Sequence, residues 1–265
     1  MIRRTLCRAL VGAAVIAFGG AALSAAAGPT TSTNPTCFGQ NVTIMGTPQS
    51  EVIRGTSGRD VIISLAGNDG VLSRQGNDYV CSGPGNDTIH GAEGFNRMNG
   101  GDGHDWIDGR RGPGNIVMGG DGPDHLEAEG RLAGGRGNDI IESYGYLSPS
   151  VSPVPDVTVG GKGDDDIYGC GGTVAPQRPS IPPGAPREQS WAWPDCYSGS
   201  LGNAEQLSGG ADDDTVFGGG GNDQLKGNDG NDALYGEDGN DDMNGGRGRD
   251  TCMQNAGSGT RIACP

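Results

Sequence analysis

The strongest constraint on the fold is a nine-residue period, plainest toward the C-terminal end. From Gly209 the chain reads GGADDDTVF, then GGGGNDQLK, GNDGNDALY, GEDGNDDMN and, from Gly245, GGRGRDTCM. Position 1 is always Gly, position 4 is Gly except at Asp212, and position 6 is always Asp; position 8 is Val216, Leu225, Leu234, Met243 and Cys252. The same frame runs through the N-terminal half. There position 6 is Glu51, Asp60, Asp69, Asp78, Asp87, Asn96 and Asp105, and position 8 is Ile53, Ile62, Val71, Val80, Ile89, Met98 and Ile107. The frame slips by one residue to Asn115, recovers at Asp124, and after a short insertion resumes at Asp139 and then at Asp165.

Each part of the unit has a physical reading. Glycines permit the positive φ angles of a tight turn and let backbone carbonyls converge, while the aspartate supplies a hard anionic oxygen. Positions 7 to 9 extend into a short strand whose position 8 side chain points inward, so stacked units enclose a thin aliphatic core. Composition shows how thin. With 53 Gly, 5% aromatic residues and a net charge of -15, the 265-residue chain cannot build an ordinary layered core. Such a composition normally leaves a chain disordered, because too little apolar area is buried to offset the entropy of ordering it. Something besides the polypeptide is therefore needed to hold it.

The unit matches the nonapeptide G-G-x-G-x-D-x-U-x, in which U is apolar. Over residues 46–141 and 157–253 the chain resembles the repeats-in-toxin (RTX), or haemolysin-type, calcium-binding family. The resemblance implies an all-β fold: a parallel β-roll, that is, a right-handed β-solenoid with two nonapeptides per coil, here with disulfide-stapled loop insertions. Aspartates eighteen apart then align as ladders. One edge of the C-terminal block has Asp214, Asp232 and Asp250 and the other Asp223 with Asp241; the N-terminal block aligns Asp60 with Asp78, and Asp69 with Asp87 and Asp105. The resemblance further implies several Ca2+ ions per chain, on Asp60, Asp69, Asp78, Asp87, Asp105, Asp124, Asp139, Asp165, Asp214, Asp223, Asp232, Asp241 and Asp250. Backbone carbonyls at positions 2 and 4 complete each shell, here Gly219 and Gly221, and Asn228 and Gly230. Where Glu51, Asn96, Asn115 and Pro113 depart from the pattern, ions are expected to be weaker or missing. Position 5 is mostly Asn (Asn68, Asn77, Asn86, Asn222, Asn231, Asn240), with Asp164 and Asp213 as acidic exceptions, and reads as a turn former tolerant of the left-handed region.

The first residues carry Arg3, Arg4 and Arg8, an apolar run from Leu10 to about Leu23, and Ala25-Ala26-Ala27. This reads as a secretory signal peptide over 1–27, and Arg3-Arg4 leaves twin-arginine export open. The mature chain is expected to be soluble and extracellular, with no membrane span. Cleavage removes three of the 18 basic residues and none of the 33 acidic ones, leaving a net charge of -18 that disfavours nucleic acid and favours cations. It also removes Cys7 and leaves six cysteines, an even number that favours disulfides. Position alone suggests Cys37 with Cys81, Cys170 with Cys196 and Cys252 with Cys264. No CxxC or Cys/His cluster appears, so a zinc site is not expected. The organisation that follows is a cap at 28–45, repeats at 46–141, an interrupted region with Pro-rich insertions at 142–208, repeats at 209–253 and a cap at 254–265.

Trp191 and Trp193, closed off by Cys196, read as the packing residues of a stapled loop or as a platform for a sugar. His90, His104 and His125 stand outside any HExxH arrangement and read as solvent-facing. The many carboxylates recur at one position of one repeat, whereas a catalytic pair is set apart by its surroundings, so they read as ligands. No GxSxG elbow or phosphate loop is present. The sequence thus points to a secreted calcium-binding β-roll, not an enzyme, folded by calcium, with a structural or binding role. Two alternatives stand beside it: a haemolysin-like or secreted hydrolase-associated protein, and an adhesin-like matrix protein with a glycan or cell-surface partner.

Overall fold

The computed structural model describes residues 35–112, 114–144, 157–169, 204–254 and 257–264. The expected leader at 1–27, Pro113, the Cys170–Cys196 pair and the two tryptophans Trp191 and Trp193 lie outside the described residues. Among the described residues no helix is long and apolar enough to cross a membrane.

Apart from a short antiparallel hairpin, Thr36–Cys37 with Gln40–Asn41, the strands fall into two parallel sheets. One has ten strands, from Val52–Arg54 to Thr251–Met253, and the other eleven, from Ile44–Met45 to Arg261–Ile262. Strands consecutive in sequence alternate between the sheets, so the chain winds as a parallel β-solenoid of about nine turns. The register sets the coil. Val80 pairs with Met98 and Leu225 with Met243, eighteen residues on, so two nonapeptides make one turn.

Four consecutive coils depart from eighteen without losing register. Ile107 pairs with Leu126, Leu126 with Ile141, Ile141 with Ile167, and Ile167 with Val216. The second of these corrects the sequence reading. What looked like a short insertion before Asp139 is a shortened coil: the strand His125–Ala128 is followed after one residue by Gly130–Arg136, so the glycine-rich bend that elsewhere separates two such strands is missing.

The core is the column of position 8 side chains. Ile62, Val71, Val80, Ile89, Met98, Ile107, Leu126, Ile141, Ile167, Val216, Leu225, Leu234 and Met243 are buried and stack as one cluster, with Cys252 packed against its end. Each such burial contributes roughly 1.5–3 kcal/mol, small beside the entropy of ordering the nine residues that carry it. Backbone hydrogen bonds between coils and whatever occupies the turns must supply the rest. Two disulfides join the ends to the roll, Cys37–Cys81 with a Cα–Cα distance of 5.8 Å and Cys252–Cys264 with 5.7 Å.

The turns explain where glycine is obligatory. Position 2 tolerates side chains at positive φ, as Leu65 (84°), Arg74 (72°) and Asn228 (83°) show. Position 4 is glycine in most coils, with Asp212 (83°) an exception; Gly103 has φ of 151°, and a Cβ there would overlap the carbonyl of Gly85 in the preceding coil. Coils stacked at the spacing of sheet hydrogen bonds leave no room for it.

Candidate functional site

Apart from the shortened coil at His125–Arg136, each coil bends twice, so the roll has two edges. The first edge leads from the eleven-stranded sheet into the ten-stranded one. Its position 6 side chains form one unbroken ladder: Glu51, Asp69, Asp87, Asp105, Asp124, Asp139, Asp165, Asp214, Asp232 and Asp250. In each rung a backbone N–H donates to Oδ1 of the aspartate one coil further on, at 2.7 Å from Asp69 to Asp87 and 3.1 Å from Asp232 to Asp250. The ladder crosses the irregular coils intact, since Asp165 N–H reaches Asp214 at 2.9 Å across 49 residues of sequence.

The second oxygen is the informative one. Oδ2 of Asp69, Asp87, Asp105, Asp124, Asp139, Asp165, Asp214, Asp232 and Asp250 is buried without a hydrogen-bond partner. A buried acceptor in that state costs about 1–3 kcal/mol, and more when charged. Among the described residues no Lys or Arg pairs with any of these aspartates.

The second edge is broken. Asp60 N–H donates to Asp78, Asp78 to Asn96 and Asn96 to Asn115, and there the ladder ends because Gly130 stands in register with Asn115 and has no side chain. Among the described residues it runs again from Glu205, whose N–H donates to Asp223, and Asp223 N–H donates to Asp241.

Comparison with known families matches residues 45–80, 82–116, 131–145, 201–232 and 217–252, more than half of the chain, to the RTX calcium-binding nonapeptide repeat. The chain belongs to the RTX calcium-binding repeat family. Comparison with curated proteins gives no match.

The first edge of this RTX roll fits the ion that the family binds. Ca2+ takes carboxylate and carbonyl oxygens, and a column of buried, partnerless Oδ2 atoms is a donor set short of a cation. The same burial pushes the acids upward: Asp87 and Asp165 to about 6, Asp105 and Asp139 to about 7, and Asp124 and Asp214 to about 8. Loss of solvent is the main cause in each, and the N–H of the preceding coil draws the value partly back.

On the second edge several rungs are filled by the chain itself. Asn96 donates from Nδ2 to the carbonyl of Gly91 at 2.8 Å, and Asn115 donates to those of Gly109 and Gly112, both at 2.6 Å. Gln254 donates from Nε2 to the Gly239 carbonyl at 2.9 Å and to Asp241 Oδ2 at 2.6 Å. Thr56 N–H likewise reaches Asp60 Oδ2 at 2.6 Å. A carboxamide can donate where a carboxylate can only accept. Asn96 and Asn115 therefore satisfy, without an ion, carbonyls of their own turns.

Three features escaped the sequence reading. The position 5 asparagines are not in the left-handed region; Asn68 Oδ1 accepts from Asn86 N–H at 2.9 Å and Asn240 Oδ1 from Ser258 N–H at 2.8 Å, a second hydrogen-bond ladder outside the first. The signal was the eighteen-residue spacing of the asparagines themselves. Glu205 opens a coil ahead of Gly209, legible in hindsight from Glu205-x-Leu207 nine residues before Asp214-x-Val216. The carbonyl of Gly219 accepts from Asp238 N–H at 2.9 Å and so ties coils together, whereas the amide contacts point to carbonyls of positions 1 and 4. Gly221, Asn228 and Gly230 keep positive or turn geometry beside Asp223 and Asp232, with Gly221 N–H bonded to Asp238 and Gly230 N–H to Arg247.

Proposed function

We propose that this RTX protein is an exported β-roll, without catalysis of its own, whose folding is driven by calcium and whose role is structural or binding. The observation that carries this reading is the run of nine buried Oδ2 atoms on the first edge, none with a hydrogen-bond partner. Asp69, Asp87, Asp105, Asp124, Asp139, Asp165, Asp214, Asp232 and Asp250 would hold the ions there, and Asp78 and Asp223, each with a partnerless Oδ2, would do so on the second edge. Bound calcium supplies the positive charge that lets the carboxylates stack, and its affinity then becomes folding free energy.

The leader supports export, and export suits the chemistry. Sites of the roughly 10⁻⁴ to 10⁻³ M affinity of extracellular modules stay empty in a cytosol and fill outside it. Circular dichroism of the purified chain, with chelator and then with millimolar calcium, tests the reading. A coil-like spectrum that turns to β on adding calcium is expected; a β spectrum already present in chelator and unchanged by calcium overturns it. N-terminal sequencing of protein recovered from the culture medium tests export, with Gly28 as the expected first residue.

A further inference from the structure

The outer face of the ten-stranded sheet carries a group of acids that belongs to neither ladder. Position 9 side chains line up by register as His90, Asp108, Glu127, Glu142 and Tyr168. Glu127 and Glu142 sit on the outside of the roll yet are only 7% and 3% exposed. Against them lies His125, from the same strand as Glu127 and two residues before it. Its Nε2 is 3.1 Å from Glu142 Oε1 and 3.6 Å from Glu127 Oε1, and the three donor atoms lie within 4.8 Å of one another.

Three independent features make this more than a cluster. The two histidine distances bracket the edge of a coordination polyhedron, about 3.4 Å for bonds of roughly 2.0–2.2 Å. Both carboxylates have outer donors: Trp106 Nε1 donates at 3.1 Å to Glu127 Oε1, the oxygen that also faces His125, and the Tyr144 hydroxyl donates at 2.7 Å to Glu142 Oε2, the oxygen turned away from His125. Such outer donors orient ligands in metal sites. Charge is also unbalanced: Arg110, 3.1 Å from Asp108 and 2.9 Å from Glu127, serves those two acids, and among the described residues no Lys or Arg pairs with Glu142. A ring nitrogen beside two carboxylates selects a borderline cation; calcium prefers oxygen alone.

We propose that His125, Glu127 and Glu142 form a site for one first-row divalent cation of the Zn2+, Mn2+ or Co2+ kind, separate from the calcium ladders. Sequence reasoning saw no zinc pattern because the ligands are not a linear motif; only the register of two coils brings residues 125, 127 and 142 together.

The test uses the full chain saturated with calcium, titrated with Co2+ and followed by visible absorption and calorimetry. One Co2+ per chain is expected, with d–d bands that survive millimolar calcium and vanish on adding Zn2+. His125→Gln and Glu142→Gln should each weaken uptake at least about tenfold while the far-ultraviolet spectrum of the calcium form is unchanged. Tyr144→Phe, which removes only the donor to Glu142 Oε2, should weaken it by about tenfold as well. Absence of Co2+ uptake under calcium, Co2+ displaced by calcium, or uptake indifferent to all three substitutions overturns the proposal.

Discussion

The two edges are made from the same nonapeptide yet solve the same electrostatic problem in different ways. On the first edge every rung from Asp69 to Asp250 ends in a buried oxygen with no donor facing it. On the second, Asn96, Asn115, Gln254 and Thr56 provide donors from within the chain, and Gly130 omits the rung altogether. All the departures from the eighteen-residue coil fall on the second edge, between strands such as Ile140–Ser143 and Val157–Lys162. The lesson is that register and ion demand travel together. The edge whose bends keep one length carries the unbroken column of partnerless oxygens, while the edge that varies has amides at several rungs and keeps partnerless oxygens at Asp78 and Asp223.

Four experiments break or sharpen that contrast. The largest effect is expected from Gly122→Val on the first edge, where φ is 125° and any Cβ meets the Gly103 carbonyl. A loss of about 3 kcal/mol or more is predicted in denaturant unfolding of the calcium form, whereas Arg74→Gly at the tolerant position 2 should change stability by less than about 1 kcal/mol.

Next comes a transplant of the second edge's solution. Asp139→Asn gives the first edge the carboxamide that Asn115 uses, so the ion-free form should gain about 1–3 kcal/mol while the calcium count by calorimetry falls by one or two. An unchanged count would show that amide and ion do not compete for the same carbonyls.

The pH dependence is the third. The raised acids bind protons in the folded state that the unfolded chain, with aspartates near 4, has released. Ion-free folded protein therefore loses stability as pH rises from about 4 through the values of about 6 to about 8 reached by Asp87, Asp105 and Asp124. Without calcium the roll should show more β structure at pH 5 than at pH 8, and calcium binding at pH 7 should release protons, measurable in buffers of different ionisation enthalpy.

The smallest effect is expected from Gln254→Ala, which removes the donor to Asp241 Oδ2 at the C-terminal end of the second edge. A loss of about 1 kcal/mol is predicted in chelator, shrinking when calcium is present, by thermal unfolding of each form.

The fold was legible because period, glycine and one apolar residue per unit leave few alternatives: Ile53 to Met243 sit in the core column that position 8 specifies. The alignment of Asp60 with Asp78 and of Asp214 with Asp232 and Asp250 follows from eighteen-residue spacing alone. What the sequence concealed was which turn each irregularity belongs to, since a missing turn and an inserted segment both disturb the count by a few residues. It also concealed side-chain compensation. Gln254 lies thirteen residues from the aspartate it serves, and His125 meets Glu142 only because one coil stacks on the next.

The coil that runs from Asp165 to Asp214 has a practical meaning beyond this chain. Closing a flexible loop costs only about 0.6 kcal/mol more for each doubling of its length. A solenoid whose spacing is kept by one edge can therefore accept longer segments on the other while its strands stay about 4.8 Å apart. Seen this way the variable edge is a display rack, on which new sequence can be tried without disturbing the column that holds it upright.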